Sequence, residues 1–372
     1  MKIKDILSDG FWIMPSTPKF DENGEIPYIT SKNIKVGEID FSNVQNISKK
    51  DYEVISKNRP IKTNDILISM IGTLGNIAVV KDCDGVFYGQ NMYLLRLNTD
   101  IVNIKYFYNF FTSDVVKRHI KSQMNKSTQG YLKANHIEEI DIPIPNLTEQ
   151  EKISNKFEKI NLLIDIRKQQ ISKLDELVKS RFIELFGDPL SNPMRWKKEQ
   201  LQSNATLLNG RAYKQDELLD SGKYPVLRVG NFFSNRSWYY SDLELDDDKY
   251  CDNGDLLYAW SASFGPKIWS GGKVIYHYHI WKVLVGENYN KQFLCNLLDY
   301  VTASLMGDTH GIGMMHLTKS GMEETEFIVP PIDLQNQFAA FVEQTDKSKL
   351  TVQKSLEQLE TLKKSLMQQY FG

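Results

Sequence analysis

The stretch "LVKSRFIELFGDP" (residues 177–189) ends on a Phe-Gly pair that the chain repeats in its last residues, "LKKSLMQQYFG" (362–372). The two phenylalanines, Phe186 and Phe371, lie 185 positions apart (371 minus 186). At the same offset Gln150 matches Gln335, and Pro145 matches Pro330. Because self-similarity at a fixed offset marks an internal duplication, the sequence predicts two copies of one structural unit.

Each copy is predicted to end in one long helix. No Gly or Pro interrupts residues 149–186, Thr148 and Glu151 match a capping box, and Gly187 followed by Pro189 is a stop signal. The second helix is predicted from about Asp333, as an Asp N-cap, to Phe371. At about 1.5 Å per residue, a helix of some 36 residues is roughly 50–55 Å long.

Both helices carry an apolar stripe at the 3-4 spacing of coiled coils. In the first helix the stripe comprises Ile153, Phe157, Ile160, Ile164, Ile171, Leu174, Val178 and Leu185. In the second it comprises Phe338, Val342, Val352, Leu356, Leu359 and Leu366. The stripes match and no other segment is long enough to cover them, which favours packing of the two helices on each other over separate burial in two domains.

The segments before the helices correspond as well. Residues 27–41 match 225–240, and 64–80 match 254–270, as strands and turns, whereas 103–123 and 290–306 have amphipathic helical patterns. The predicted fold class is therefore α+β: two globular mixed α/β domains joined by two long helices that pair as a coiled coil. The predicted domains are 1–147 and 188–332, and the predicted helices are 148–187 and 333–372.

Composition excludes several classes of protein. The 372 residues are 41% hydrophobic, as expected of a folded multidomain chain. Cys83, Cys251 and Cys295 lie far apart, which argues against a disulfide framework and a thiolate metal site. The sequence shows no signal peptide and no run of eighteen apolar residues, so a cytoplasmic location is expected. The net charge of −2 does not by itself indicate a nucleic-acid partner.

The order of these features resembles the specificity subunit of Type I restriction-modification systems over nearly the whole chain. Three segments carry the resemblance most specifically: "IPIP" (142–145) with "EQEKI" (149–153), "FGDP" (186–189), and "VPP" (329–331) with Gln335. The resemblance implies two target-recognition domains held by the two long helices, which pair as an antiparallel coiled coil, with no catalysis and no cofactor of their own. It also implies binding to double-stranded DNA, two modification subunits that methylate adenine, and, through the complex, ATP-dependent restriction subunits.

From the architecture we expect each domain to read one half of a bipartite asymmetric site, with the gap set by helix length. DNA contacts are expected from cationic, hydroxyl and amide side chains of the loops. In the first domain the candidates are Lys32, Asn33, Thr73, Asn76, Gln90, Asn91, Lys126, Ser127, Thr128, Gln129 and Lys133. In the second domain they are Arg228, Asn231, Ser261, Ser263, Lys267, Thr309, His310 and Lys319.

Other patterns have weaker chemical meaning. His277 and His279 have the spacing of one strand face, but no third metal ligand is evident, so a buried or DNA-facing polar pair is preferred to a metal site. "GIGMMH" (311–316) only faintly resembles a dinucleotide-binding loop, and "VPPID" (329–333) lacks the methyltransferase pattern. The alternative that stays open is a coiled-coil adaptor with two protein- or glycan-binding domains. A self-sufficient DNA methyltransferase is opposed by the absence of cofactor-binding and catalytic motifs in the sequence.

Overall fold

The computed structural model describes residues 1–14, 18–72, 74–125, 131–234, 236–307 and 317–372. The chain divides into two compact units, which we call the first unit (residues 1–168 and 354–372) and the second unit (residues 169–353). Both boundaries fall inside the long helices. Each long helix therefore contributes its first part to one unit and its last part to the other.

The part of the chain before residue 187 contains seven described strands and five helices. The strands are β1 (Leu7–Ile13), β2 (Ile26–Ile29), β3 (Gln45–Ile47), β4 (Ile66–Ser69), β5 (Ile77–Val79), β6 (Tyr88–Gly89) and β7 (Met92–Leu97). The helices are α1 (Lys49–Ser56), α2 (Ile104–Phe111), α3 (Asp114–Asn125), α4 (Asn135–Glu138) and the long helix α5 (Leu147–Phe186).

The part of the chain after Phe186 contains ten described strands and four helices. The strands are β8 (Lys198–Gln200), β9 (Ala205–Asn209), β10 (Tyr224–Leu227), β11 (Tyr239–Ser241), β12 (Tyr250–Cys251), β13 (Leu256–Ser261), β14 (Ser263–Ile268), β15 (Val274–Tyr276), β16 (Ile280–Val285) and β17 (Glu326–Ile328). The helices are α6 (Val229–Phe233), α7 (Lys291–Gly307), α8 (Lys319–Glu324) and the long helix α9 (Ile332–Phe371).

The two units share one sheet topology. In the first unit, an antiparallel sheet has the order β1-β7-β4-β5, and a second sheet, β3-β2-β6, has β2 and β6 parallel. In the second unit, the antiparallel sheet is β14-β13-β16-β9, and the mixed sheet, β11-β10-β15-β12, has β10 and β15 parallel. The predicted duplication and the α+β fold class are therefore confirmed.

The starts of the long helices differ in detail from the prediction. Helix α5 begins at Leu147, because Glu149 N donates a hydrogen bond to the side-chain Oδ1 of Asn146 at 2.9 Å, which makes Asn146 and not Thr148 the N-cap. Helix α9 begins at Ile332, so Asp333 lies inside its first turn and is not the N-cap. The predicted stop is confirmed: Gly187 has φ 71°, a conformation that favours glycine.

A buried glutamine attaches the first turn of each long helix to its own unit. Gln150 is fully buried: its Oε1 accepts from Asn103 N at 2.8 Å, and its Nε2 donates to Ile101 O at 2.9 Å and Pro145 O at 2.8 Å. Gln335 makes the same set of bonds in the second unit. Its Oε1 accepts from Asn290 N, and its Nε2 donates to the carbonyls of Asn288 and Pro330.

The repeated Phe-Gly ends close an aromatic cluster in each unit. In the first unit, Phe371 is 96% buried and lies 5.3 Å from Tyr106, 5.8 Å from Phe110 and 5.9 Å from Phe157 between ring centroids. In the second unit, Phe186 lies 4.6 Å from Phe293 and 5.6 Å from Phe338. Each phenylalanine thus replaces solvent contact with several aromatic contacts.

Within each unit the two long helices run antiparallel, as predicted. In the first unit, Phe157 of α5 faces Phe371 of α9, and ten residues later Arg167 Nε donates to Ser355 Oγ at 3.2 Å. The residue number rises along α5 as it falls along α9, which defines the antiparallel direction. The second unit shows the same order, with Asp175 paired to Lys349 and Phe182 packed on Phe338.

We predict that Gln150→Ala lowers the free energy of unfolding of the first unit by about 2–4 kcal/mol, because three buried backbone groups lose their partner. Chemical denaturation of the full chain measures the change. The matched control is Gln369→Ala, which removes an exposed glutamine of α9 in the same unit and is expected to change little. A Gln150→Ala variant that unfolds at the wild-type denaturant concentration would contradict the anchoring role.

Candidate nucleic-acid interface

In the first unit, the predicted DNA-contacting loops leave the sheet at one edge. Strands β2 and β6 are parallel and in register, with Tyr28 opposite Tyr88 and Ile29 opposite Gly89. The residues that follow them, Thr30 after β2 and Gln90-Asn91 after β6, therefore leave the sheet side by side. We call this place, defined by Thr30, Gln90 and Asn91, the parallel-strand edge of the first unit.

Hydrogen bonds join four predicted segments at this edge. Asn91 O accepts from Met70 N at 3.1 Å and from the hydroxyl of Ser31. Met70 O in turn accepts from Leu132 N at 2.9 Å, next to Lys133. Asn76 Nδ2 donates to Ile34 O at 3.1 Å, which connects the turn after β4 to the loop after β2. The structure thus brings together loops that are distant in sequence.

The side chains at this edge fall into two groups. Lys32, Asn91 and Lys133 are exposed, and Asn91 has a φ of 60° at the turn between β6 and β7. Asn33, by contrast, is 93% buried and its amide is used internally: Oδ1 accepts from Thr30 N at 2.9 Å and Nδ2 donates to Asp40 O at 2.8 Å. Asn33 therefore shapes the loop, and its amide does not point to a ligand in this conformation.

Gln90 and Asn76 are half-buried, and Asn76 uses its amide on Ile34 as described. Five predicted residues of the first domain lie outside the described residues: Thr73, Lys126, Ser127, Thr128 and Gln129. For all the predicted residues, contact with DNA stays a prediction.

The second unit has the same edge with different side chains. His277 N donates to Leu227 O at 2.9 Å, as Gln90 N does to Ile29 O at 3.0 Å. Trp260 N donates to His279 O at 3.0 Å, as Met70 N does to Asn91 O. His277 and His279 therefore occupy the places of Gln90 and Asn91.

Two further residues extend the correspondence to the loop after β10. Arg228 follows the end of β10 as Thr30 follows the end of β2. Asn231 corresponds to Asn33, because its amide also holds the following loop, donating to Arg236 O at 2.9 Å and Ser237 O at 3.1 Å. The parallel-strand edge of the second unit is thus defined by Arg228, His277 and His279.

A cavity of about 390 Å³ lies at this edge. Its lining includes three predicted residues, Arg228, Asn231 and Ser261, together with both histidines. It also includes Arg236 and Tyr239, which the sequence analysis missed because neither stands out from its neighbours in the "NRSWYY" segment. We call this the edge cavity; no Asp or Glu is among its described lining residues.

The two histidines lie on either side of a turn, not on one strand face as the spacing suggested. His277 follows β15 and His279 precedes β16, and their ring centroids are 4.7 Å apart. Burial, followed by the proximity of His279 and Arg228, lowers the pKa of His277 to about 4. His277 is therefore neutral at pH 7. No group of three metal-ligating His, Cys, Asp or Glu side chains occurs in the described part of the chain.

The other candidates of the second unit lie apart from the edge cavity lining. Lys267 Nζ donates to Phe232 O at 3.1 Å, and Ser263 is exposed beside the tip of the β13–β14 hairpin. Lys319 lies in α8, which packs on β9, and is 3.5 Å from a carboxylate oxygen of Glu323. Thr309 and His310 lie outside the described residues, as does the "GIGMMH" segment.

Comparison with known proteins identifies the family. The profile of the family described as the Type I restriction modification DNA specificity domain matches residues 1–176 and 193–361. The chain belongs to this family. A curated relative, the MjaIX specificity subunit of Methanocaldococcus jannaschii, is 24% identical over 400 residues, covering 98% of this chain and 90% of the relative. The predicted resemblance is confirmed, as is the prediction of a specificity subunit with no catalysis of its own.

Solved structures support the fold. A chain from a study of complex assembly and conformational transition of the type I R-M system has a TM-score of 0.61 and 16% identity, covering 100% of this chain and 96% of that chain. The S subunit of a Type I restriction-modification system from M. genitalium has a TM-score of 0.57 and 14% identity, covering 100% and 95%. Among the described helices of the present specificity subunit, none has the length and apolar content needed to cross a membrane.

We predict that Asn33→Ala and Lys32→Ala affect different properties: Asn33→Ala lowers stability, and Lys32→Ala weakens DNA binding. Asn33→Ala is expected to lower the free energy of unfolding by about 1–3 kcal/mol, because Thr30 N and Asp40 O lose a buried partner. Lys32→Ala, at the neighbouring exposed position, is expected to change stability by less than about 0.5 kcal/mol but to weaken DNA binding. Denaturation curves and duplex-binding titrations check the pair; equal stabilities of the two variants would refute the assignment of Asn33 to the scaffold.

Proposed function

We propose that this chain is the subunit that selects the DNA site for a Type I restriction-modification complex, and that it reads a bipartite asymmetric sequence with one half-site per unit. One observation carries the proposal: the two units present the same backbone edge with different side chains. The first presents Thr30, Gln90 and Asn91, and the second presents Arg228, His277 and His279. Two readers built on one frame but with different chemistry recognise two different half-sites.

The long helices are proposed to set the gap between the half-sites. Each contains 40 residues, about 60 Å at 1.5 Å per residue, and neither contains a Gly or Pro that would bend it. An uninterrupted helix is stiff, so its length defines a distance. A length of this order exceeds one turn of B-DNA, about 34–36 Å, which fits two half-sites separated by unread base pairs.

The exposed apolar side chains of the long helices are proposed to dock the two modification subunits, through which restriction subunits join. Leu162 and Leu163 of α5 are 59% and 41% exposed, and Leu350 of α9 is 52% exposed. Contiguous exposed apolar surface is typical of sites that bind protein partners, and the adjacent Leu162 and Leu163 provide such surface on α5. A cytoplasmic location is part of the proposal, because a subunit that acts on cellular DNA with these partners would meet them there.

The DNA-reading role is tested by mapping methylated adenines in cells that express the modification subunits with or without this chain. We expect methylation within one bipartite asymmetric sequence, and only when the chain is present. Duplexes carrying that sequence are expected to bind the purified complex with an affinity that falls steeply as salt rises. Methylation of one uninterrupted motif would contradict the two-reader proposal, and binding insensitive to salt and sequence would favour the adaptor.

The spacer role is tested by Leu174→Pro, with Leu174→Ala as the matched control. Proline removes a backbone hydrogen bond in the middle of α5 and costs about 3 kcal/mol or more. We expect Leu174→Pro to abolish co-purification with the modification subunits and Leu174→Ala to retain it. Normal assembly of the proline variant would count against a continuous helix as the structural basis of docking.

A further inference from the structure

The edge cavity of the second unit is lined by two arginines that have no ion-pair partner among the described residues. In the described part of the chain, the guanidinium groups of Arg228 and Arg236 form no ion pair and no hydrogen bond, and the cavity lining contains no carboxylate. By comparison, Arg59 is paired with Asp9, Arg96 with Asp65, and Arg211 with Glu217, each at 2.7 Å. The donors in the cavity are therefore available to a ligand.

Arg228 is held in place before any ligand binds. Its guanidinium carbon lies 5.4 Å from the ring centroid of Tyr239, which is paired across the sheet with Val226. Its backbone carbonyl accepts from Asn231 N and Phe232 N, both at 2.9 Å, which fixes the start of α6. Stacking on an aromatic ring and a fixed backbone reduce the entropy that the side chain loses on binding.

Arg236 occupies a different position in the cavity. Its side chain lies against Gly230, where a Cβ atom would come within 2.8 Å of Arg236 Cδ. Because Gly230 has no Cβ, the aliphatic part of the Arg236 side chain can pass next to it. Among the described residues, no aromatic ring lies beneath the Arg236 guanidinium, in contrast to Arg228. Arg236 is the less constrained of the two arginines and therefore suits contact with a phosphate.

The rest of the lining suits a base edge better than a phosphate alone. The lining places uncharged polar groups beside the two cations: His277 is neutral at pH 7, and the Asn231 Oδ1 and the Ser261 hydroxyl carry no charge. In the major groove, guanine presents two adjacent acceptors, O6 and N7, which match the donors of one guanidinium. Adenine presents an amino group at the corresponding edge and would oppose a guanidinium.

We propose that Arg228 reads a guanine in the half-site recognised by the second unit, its guanidinium donating to O6 and N7, while Arg236 contacts a neighbouring phosphate. This proposal rests on the proposed function and specifies one base, a guanine, in one of the two half-sites. The first unit carries Thr30 at the place of Arg228. The arginine-dependent guanine is therefore confined to one of the two half-sites.

The test uses the complex with its modification subunits and duplexes in which each guanine of the mapped site is replaced in turn by 7-deazaguanine, which lacks the N7 acceptor. At one guanine of one half-site, we expect the wild-type complex to lose affinity by about 5- to 150-fold. Arg228→Ala is expected to bind the unmodified site more weakly and to show no further loss with 7-deazaguanine at that position. Arg228 is exposed and unpaired, so the substitution is expected to leave folding intact, which denaturation verifies.

Two matched arginine variants complete the design. Arg236→Ala, in the cavity, and Arg195→Ala, an exposed arginine of the same unit that does not line it, are expected to keep the full sensitivity to 7-deazaguanine. The proposal is overturned if Arg228→Ala retains that sensitivity, if it weakens all duplexes equally, or if Arg236→Ala abolishes the sensitivity instead. A wild-type complex with no sequence preference would overturn the proposed function itself. That result is distinguishable from the three above, in which the wild-type complex still prefers its site.

Discussion

The fold depends on one buried side chain in each repeat. Gln150 and Gln335 lie in the first turns of the long helices, are fully buried, and each make three hydrogen bonds to backbone groups of their own unit. An amide has a donor end and an acceptor end, so it satisfies this arrangement in one orientation only. An unsatisfied amide in the core would be costly. The direction in which each helix leaves its unit is therefore tightly specified.

The last turn of each long helix is held as well, by a phenylalanine buried in an aromatic cluster of the other unit. Phe371 closes the aromatic cluster around Phe157 in the first unit, and Phe186 closes the one around Phe293 in the second. Each unit thus contains the start of one long helix and the end of the other. This explains why the Phe-Gly end occurs twice: both copies fill an aromatic pocket, and at Gly187 the backbone then turns with a positive φ.

The two units share residues that hold the loops but differ in the side chains at the parallel-strand edge. Asn33 and Asn231 are the same residue in the same role, because both amides hold the loop that follows the parallel strand. The neighbouring edge positions differ completely, with Thr30, Gln90 and Asn91 in one unit and Arg228, His277 and His279 in the other. Equivalent backbone hydrogen bonds hold this edge in both units, from Gln90 N to Ile29 O in one and from His277 N to Leu227 O in the other, so the backbone path is the same although the side chains differ. Change at the edge alters chemistry without altering the fold.

The sequence by itself determined the duplication, the α+β class, the two long helices and the family, because these follow from local patterns: a fixed repeat offset, a 3-4 apolar spacing, and long segments without Gly or Pro. Even there, the N-cap of α5 moved from Thr148 to Asn146, since only the actual backbone decides which side-chain oxygen reaches the free amide. The tertiary structure alone decided which candidate residues meet. Asn33 turned inward, and Arg236 and Tyr239 joined Arg228 around a cavity, through strand pairing and loop hydrogen bonds between distant segments. Such contacts depend on the register of paired strands, which no spacing along the chain encodes.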